Sequence, residues 1–374
     1  MRIVFYLAWL LFIILEAALV YFIMPMPGSQ TMNSLPLAYA LYQWRWLLRL
    51  LFVGTAVFCW LNIPRKAHWS RIAALAVSAA VYWFFNGPMS ASSMFKEPTV
   101  LRMVQAGNNE VPADKLVLGV LLHGQAAAYP IQYIAYHHRV ADTLGGTAIW
   151  VTYCSVCRSG RVFQPMVKGQ SASFRLVGMD HFNAMFEDKT TGSWWRQVNG
   201  QAVAGPMKGS SLPEIPAVQM SLGEWLRLHP YSRVMQPDPY SVKHYERLNT
   251  YESGGSKSAL TRRDTGLWQP KSWVAGVQWK GCSRAYSWKH LEATQVVHDT
   301  LGGSNIALLL WGKGKNLSAW LAPGVVQLIG DSLECGGMRF DLAGRGRSGN
   351  LKPVPVYQEY WHSWKEFHPR TSRY

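Results

Sequence analysis

The sequence predicts an α+β chain, mainly β: an internally duplicated, β-rich extracytoplasmic domain preceded by three transmembrane helices. Three observations carry this reading. Apolar stretches of near-spanning length open the chain. Landmarks between residues 117 and 146 recur at a constant offset of 157. The segments around them are rich in β-branched and aromatic residues and are bounded by glycine turns, the composition of strands. The expected organisation is a membrane anchor over 1–95, a first β-rich repeat over 96–230, a connecting segment over 231–273 and a second, degenerate repeat over 274–374.

A spanning helix needs about 20 apolar residues. Residues 3–24 meet this with one charge, Glu16, and residues 46–63 with Arg49 near their start. Residues 72–85 are shorter and reach spanning length only if Trp69 and Met89 are counted. The first stretch is too long for a signal-peptide core and lacks a small-residue cleavage site, so it reads as a retained anchor. Glu16 is unusual inside such a helix, and pairing with Arg49 is its simplest explanation. Arg65, Lys66 and Arg71 make the loop at 65–71 the most basic one between helices. That places the loop in the cytoplasm and residues 96 onward outside, as a multi-pass inner-membrane protein with a periplasmic C-terminal domain.

The formal charge is +16. A basic exterior draws anionic lipid headgroups, polyanions or acidic partners, although a solvated basic surface accounts for it as simply. No compact Lys/Arg run or nucleic-acid motif is present. The expected partners are therefore the membrane and a periplasmic or membrane protein, with no nucleic acid. No Walker loop, Rossmann fingerprint or zinc-protease helix occurs, so no nucleotide cofactor is expected.

The repeat is read from three landmarks. Val117-Leu-Gly-Val returns as Val274-Ala-Gly-Val, Gly124 to Tyr129 as Gly281 to Tyr286, and Asp142-Thr-Leu-Gly-Gly146 intact as Asp299-Thr-Leu-Gly-Gly303. Trp225-Leu-Arg-Leu-His-Pro230 answers Trp364-Lys-Glu-Phe-His-Pro369 at the shorter offset of 139. Shared residues read as scaffold: the paired glycines as turns, Tyr129 and Tyr286 as packing, His229 and His368 as structural. Residues 231–273 are polar and rich in Pro and Gly, which reads as a long connection with little core.

Chemistry is expected where the copies differ. At the offset of 157, His137 faces Thr294, His138 faces Gln295, Cys154 faces Trp311 and Cys157 faces Gly314. The first copy thus carries a thiol–imidazole set that the second lacks. Two thiolates in Cys-x-x-Cys need one or two further ligands for a tetrahedral site, and Zn or Cu suits mixed sulfur and nitrogen donors. The expected metal ligands are Cys154, Cys157 and His137, with His138 and His181 as alternates. One Cys-x-x-Cys is a moderate signal, and two other readings stay open. The pair can work as a thiol–disulfide redox centre, or the region can be a non-catalytic interaction scaffold. Cys282 and Cys335 are candidates for a disulfide in an oxidising compartment, and Cys59 reads as helix packing. Asp188, Thr190, Ser193, Trp194 and Gln197 either line a polar pocket or cap a turn.

At these residues the chain resembles the bacterial and archaeal family catalogued as domain of unknown function 3179. The resemblance rests on Ala128-Tyr129-Pro130, on His137 through Asp142, and on Thr152-Tyr153-Cys154-x-x-Cys157. Asp188-x-Thr-x-Gly-Ser-Trp194, Gly200-x-Ala-x-x-Gly205 and the ending Trp361 to Pro369 also carry it. The family pattern has His-Glu at His137-His138 and commonly Cys-Pro-x-Cys at Cys154–Cys157. The first departure adds a candidate ligand, and the second loosens the turn. The resemblance implies a fold and a site but no reaction, and it does not extend to the three-helix anchor.

Overall fold

The computed structural model describes residues 1–64 and 68–374. Arg65 and Lys66, on which the expected sidedness mainly rests, lie outside the described residues. The protein is mixed α and β, with mostly β structure after the N-terminal helices. It forms two compact units whose boundaries do not follow chain order. One comprises Met1–Lys96, Ala172–Arg196 and Gln201–Ser211; the other comprises Glu97–Ser171, Gln197–Gly200 and Leu212–Tyr374.

The first unit holds three long helices: α1 (Arg2–Tyr21), α2 (Leu35–Asn62) and α3 (His68–Asn86). Among the described residues, α1 and α2 are long and apolar enough to cross a membrane. The expected third span is corrected. Residues 72–85 are helical, but His68, Ser70, Arg71, Ser78 and Asn86 dilute the apolar character of α3 over a spanning length. Glu16 and Arg49, both buried, do meet through bonds of 2.6 and 2.7 Å, and the exposed Asn86 joins them at 2.9 Å from Arg49 and 2.7 Å from Glu16. A charge inside a helix bundle persists when it is paired and hydrogen-bonded in this way.

A four-stranded antiparallel sheet completes this unit, in the order Ala202–Ala204, Trp194–Arg196, Asn183–Asp188, Phe174–Asp180. It packs on the chain between α1 and α2. The Met179 amide donates to the Ile23 carbonyl at 2.7 Å, and Tyr39 meets the Trp194 ring edge-on at 4.9 Å. Gly178 permits this approach, because a Cβ there would lie 2.4 Å from the Ile23 carbonyl oxygen. Asp188 caps the turn that follows its strand, accepting from the Thr191 and Ser193 amides, and also accepts from the Trp195 indole. It therefore serves the turn rather than a pocket.

The second unit contains two halves with the same element order and register. In the first, Leu116–Leu122 pairs with Gln125–Pro130, placing Leu118 opposite Tyr129; in the second, Trp273–Trp279 pairs with Cys282–Ser287, placing Ala275 opposite Tyr286. A seven-residue helix follows each hairpin, Ile131–His137 and Trp288–Thr294, and each ends in a positive-φ residue, His138 (61°) and Gln295 (59°). Next comes an antiparallel pair, Arg139–Leu144 with Thr147–Cys154 and Val296–Leu301 with Ser304–Trp311. Tyr129 donates to Asp142 at 2.8 Å and Tyr286 to Asp299 at 2.6 Å. Each half closes on a tryptophan that needs a glycine. A Cβ on Gly119 would lie 2.3 Å from Trp225, and one on Gly276 would lie 2.2 Å from Trp364. The halves diverge after their third central strand: the second carries a five-stranded sheet between Val326 and Asn350.

Residues 231–273 contribute more than a connection. They supply the strand Arg233–Met235 and the helix Val242–Glu246, and they bury Tyr245 and Tyr251.

Candidate functional site

The Cys-x-x-Cys turn joins the strands Thr147–Cys154 and Ser159–Phe163, which pair Cys154 with Ser159. The Cys157 amide closes the turn onto the Cys154 carbonyl at 3.2 Å. Arg158 takes left-handed backbone, φ 56°, to leave it. The three outward carbonyls of the turn are each claimed from beyond the first half. Tyr251 donates to Ser155, Lys271 Nζ to Val156 at 2.6 Å, and the Tyr360 amide to Cys157 at 2.9 Å. Below the turn, Gln197 holds Ser159 and Thr152 in a buried polar network.

Neither cysteine is in a disulfide, and both are closed to solvent, Cys154 at 1% and Cys157 at 0% exposure. Burial pushes the Cys157 thiol well above its ordinary pKa, and the neighbouring Cys154 adds to that. The nearby His362 imidazole acts in the opposite direction. The His362 ring is oriented by the Pro270 carbonyl, 3.0 Å from Nδ1. A carbonyl only accepts, so Nδ1 carries the proton and the buried Nε2 is the lone-pair nitrogen of the neutral ring. Burial lowers the Lys271 pKa, while the two cysteines act to raise it. The Arg158 guanidinium is buried 3.8 Å over the Trp273 ring. Two buried thiols thus have an imidazole, His362, and an ammonium group, Lys271, near them. Such surroundings favour a thiolate once the sulfur loses its proton, although burial alone opposes that loss.

The sequence-predicted set is only partly gathered. Cys154 and Cys157 come together. His137 is the last residue of a helix rather than part of the strand beside Cys154, so helical geometry sets its direction; Nε2 bonds to the Tyr245 hydroxyl at 2.5 Å. His138 Nδ1 donates to the Tyr153 carbonyl at 3.1 Å. His181 belongs to the other compact unit and pairs with Asp180, which Arg196 also holds. Among the described residues, no group of three or more His, Cys, Asp or Glu side chains is placed to hold a metal ion. Cys282 and Cys335 are both free, the first exposed and the second buried, so the expected candidate disulfide is absent.

His362 and Lys271 escaped the sequence reading. A signal existed: at the offset of 139, His362 faces Gly223, and at 157, Lys271 faces Asp114. The asymmetry that singled out the cysteines also marks these two residues.

No curated protein and no solved structure matches the chain significantly. A family model described as "Protein of unknown function (DUF3179)" matches residues 96–371, and on that match the chain belongs to this family.

Proposed function

We propose that this chain is a membrane-anchored protein whose working group is the dithiol Cys154/Cys157, cycling with a disulfide. The observation that carries this reading is the pair of adjacent cysteines outside any disulfide, with the His362 imidazole, held by the Pro270 carbonyl, acting to ease proton loss from Cys157. A thiol, a base and a group that orients the base are the parts of an activated sulfur. Cys157 passes its proton to His362, and the thiolate attacks a disulfide presented by a partner. Cys154 then displaces the partner from the mixed disulfide. The balance is two thiols and one partner disulfide giving one intramolecular disulfide and two partner thiols. Because both sulfurs are buried, exchange requires local opening around the turn.

α1 and α2 supply the anchor, and the dithiol side lies outside the cytoplasm. The second half is a duplicate of the first that gave up the thiols and kept a support role, contributing His362 across the junction. The matched registers, turns and Gly–Trp contacts support that origin.

The test uses the full chain in detergent with Cys59, Cys282 and Cys335 replaced by Ser, equilibrated against thiol–disulfide buffers and trapped with a thiol mass tag. The expected result is two tags lost together and regained on reduction, with His362→Ala slowing exchange by about 10²-fold. Metal content is measured in parallel. Stoichiometric Zn or Cu that disappears in Cys154→Ser and Cys157→Ser would replace this reading with the metal site expected from the sequence. Thiols that never oxidise would leave the turn purely structural.

A further inference from the structure

We propose that the sheet inserted in the second half carries a binding site for an anionic polysaccharide. Its five short antiparallel strands run between Val326 and Asn350, where the first half has other structure. Between this sheet and the adjoining segments at 304–305 and 321–323 lies an open cleft of about 1290 Å³. That is far larger than a single phosphate or sulfate fills.

Charge decides the class of occupant. Four cations line the cleft, Arg339, Arg345, Arg347 and Lys352, against two carboxylates, Asp331 and Asp341. Arg345 is held by Asp341 at 2.8 Å. Arg339, Arg347 and Lys352 make no ion pair among the described residues; Lys352 lies 5.7 Å from the Trp279 ring. The three come from different segments: Arg339 from the strand Met338–Asp341, Arg347 from the tip of the next hairpin, Lys352 from the chain beyond it. Cations from separate segments of a long cleft suit a ligand with repeated negative groups better than one compact anion. The side chains of Asn305, Ser348 and Asn350 give the same surface hydrogen-bonding groups for hydroxyls.

Nucleic acid fits less well. Single strands are held by stacking bases on exposed aromatic rings. The one aromatic residue of this lining, Phe340, is only 6% exposed and belongs to the core of the inserted sheet. Charge and hydroxyl recognition without stacking leaves a sulfated, phosphorylated or carboxylated glycan. The formal +16 of the whole chain adds long-range attraction for it.

The experiment titrates a fluorescent sulfated hexasaccharide with the full-length protein in uncharged detergent, by anisotropy over a salt series. The expected result is saturable binding that Arg339→Ala with Arg347→Ala weakens about tenfold or more. The variant's dependence of log affinity on log salt should also be shallower by about one to two, roughly one unit per cation removed. A control pair, Lys257→Ala with Arg262→Ala, lies exposed outside the cleft and should bind as wild type. An equal loss in the control pair means attraction by net charge alone and overturns the site. Orthophosphate competing as well as the hexasaccharide, per anionic group, overturns the polymer. Absence of saturable binding overturns both. The substituted arginines are exposed, and thermal unfolding of each variant checks that the fold is retained.

Discussion

His138 closes the helix Ile131–His137 in left-handed backbone and is 7% exposed. Burial pushes its pKa from 6.5 down to about 4, outweighing the raising effect of its bond to the Tyr153 carbonyl. The unfolded chain therefore holds the proton more tightly. This contribution is fully present above about pH 6.5 and is lost as pH falls towards 4, in total about 3 kcal/mol. His138→Gln copies the residue at the matching place in the second half, Gln295, whose φ is 59°. We predict that it keeps the turn and removes this part of the acid sensitivity. Urea unfolding from about pH 7 to about pH 4 checks this; an unchanged pH slope in the variant would refute it. The same residues show what the sequence could reveal. Cys154 and Cys157 were visible because their counterparts are Trp311 and Gly314. His137 ends the helix Ile131–His137 and its ring bonds to the Tyr245 hydroxyl, an outcome that spacing along the chain does not show. His362 stayed hidden because the offset changes from 157 to 139 before it, so a comparison at one offset passes over it.

Elements meet through positions with no spare room. Gly119→Ala puts a methyl where the Trp225 ring lies, and Gly276→Ala does the same at Trp364. Each is predicted to cost about 1–3 kcal/mol, since overpacking a dense core displaces its neighbours. The similarity of the two sites predicts similar losses, and a thermal melt of each variant measures them. The helix cluster gives a sharper case. Glu16→Ala leaves the Arg49 guanidinium buried with Asn86 as its remaining polar partner here, and removing one side of a buried pair costs about 3–5 kcal/mol. Glu16→Ala with Arg49→Met should recover most of the loss; folded yield in detergent tests both. At this scale the hairpins were legible, because runs rich in β-branched and aromatic residues bounded by glycine turns are local signals. The sheet 174–204 was not assigned to the helices, because its attachment runs through the Gly178 backbone and a carbonyl. Such a contact leaves no periodic pattern in the chain.

The chain threads through its two units more than once, so cutting it by sequence position does not cut it by structure. Deleting residues 1–96 removes Ile23 and Tyr39, on which Met179 and Trp194 pack. The prediction is that the truncated protein is cleaved by limited proteolysis within 172–211 much faster than the full chain. Equal rates would mean that this sheet stands without the helices. The order of synthesis adds another consequence. Cys157 is made about 200 residues before His362, which at typical translation speeds is roughly 10–40 s. Throughout that interval the turn lacks the His362 imidazole and the amide that Tyr360 donates to the Cys157 carbonyl. A chain cut short before Tyr360 gains neither contact, and the Cys157 carbonyl keeps no backbone amide from that segment.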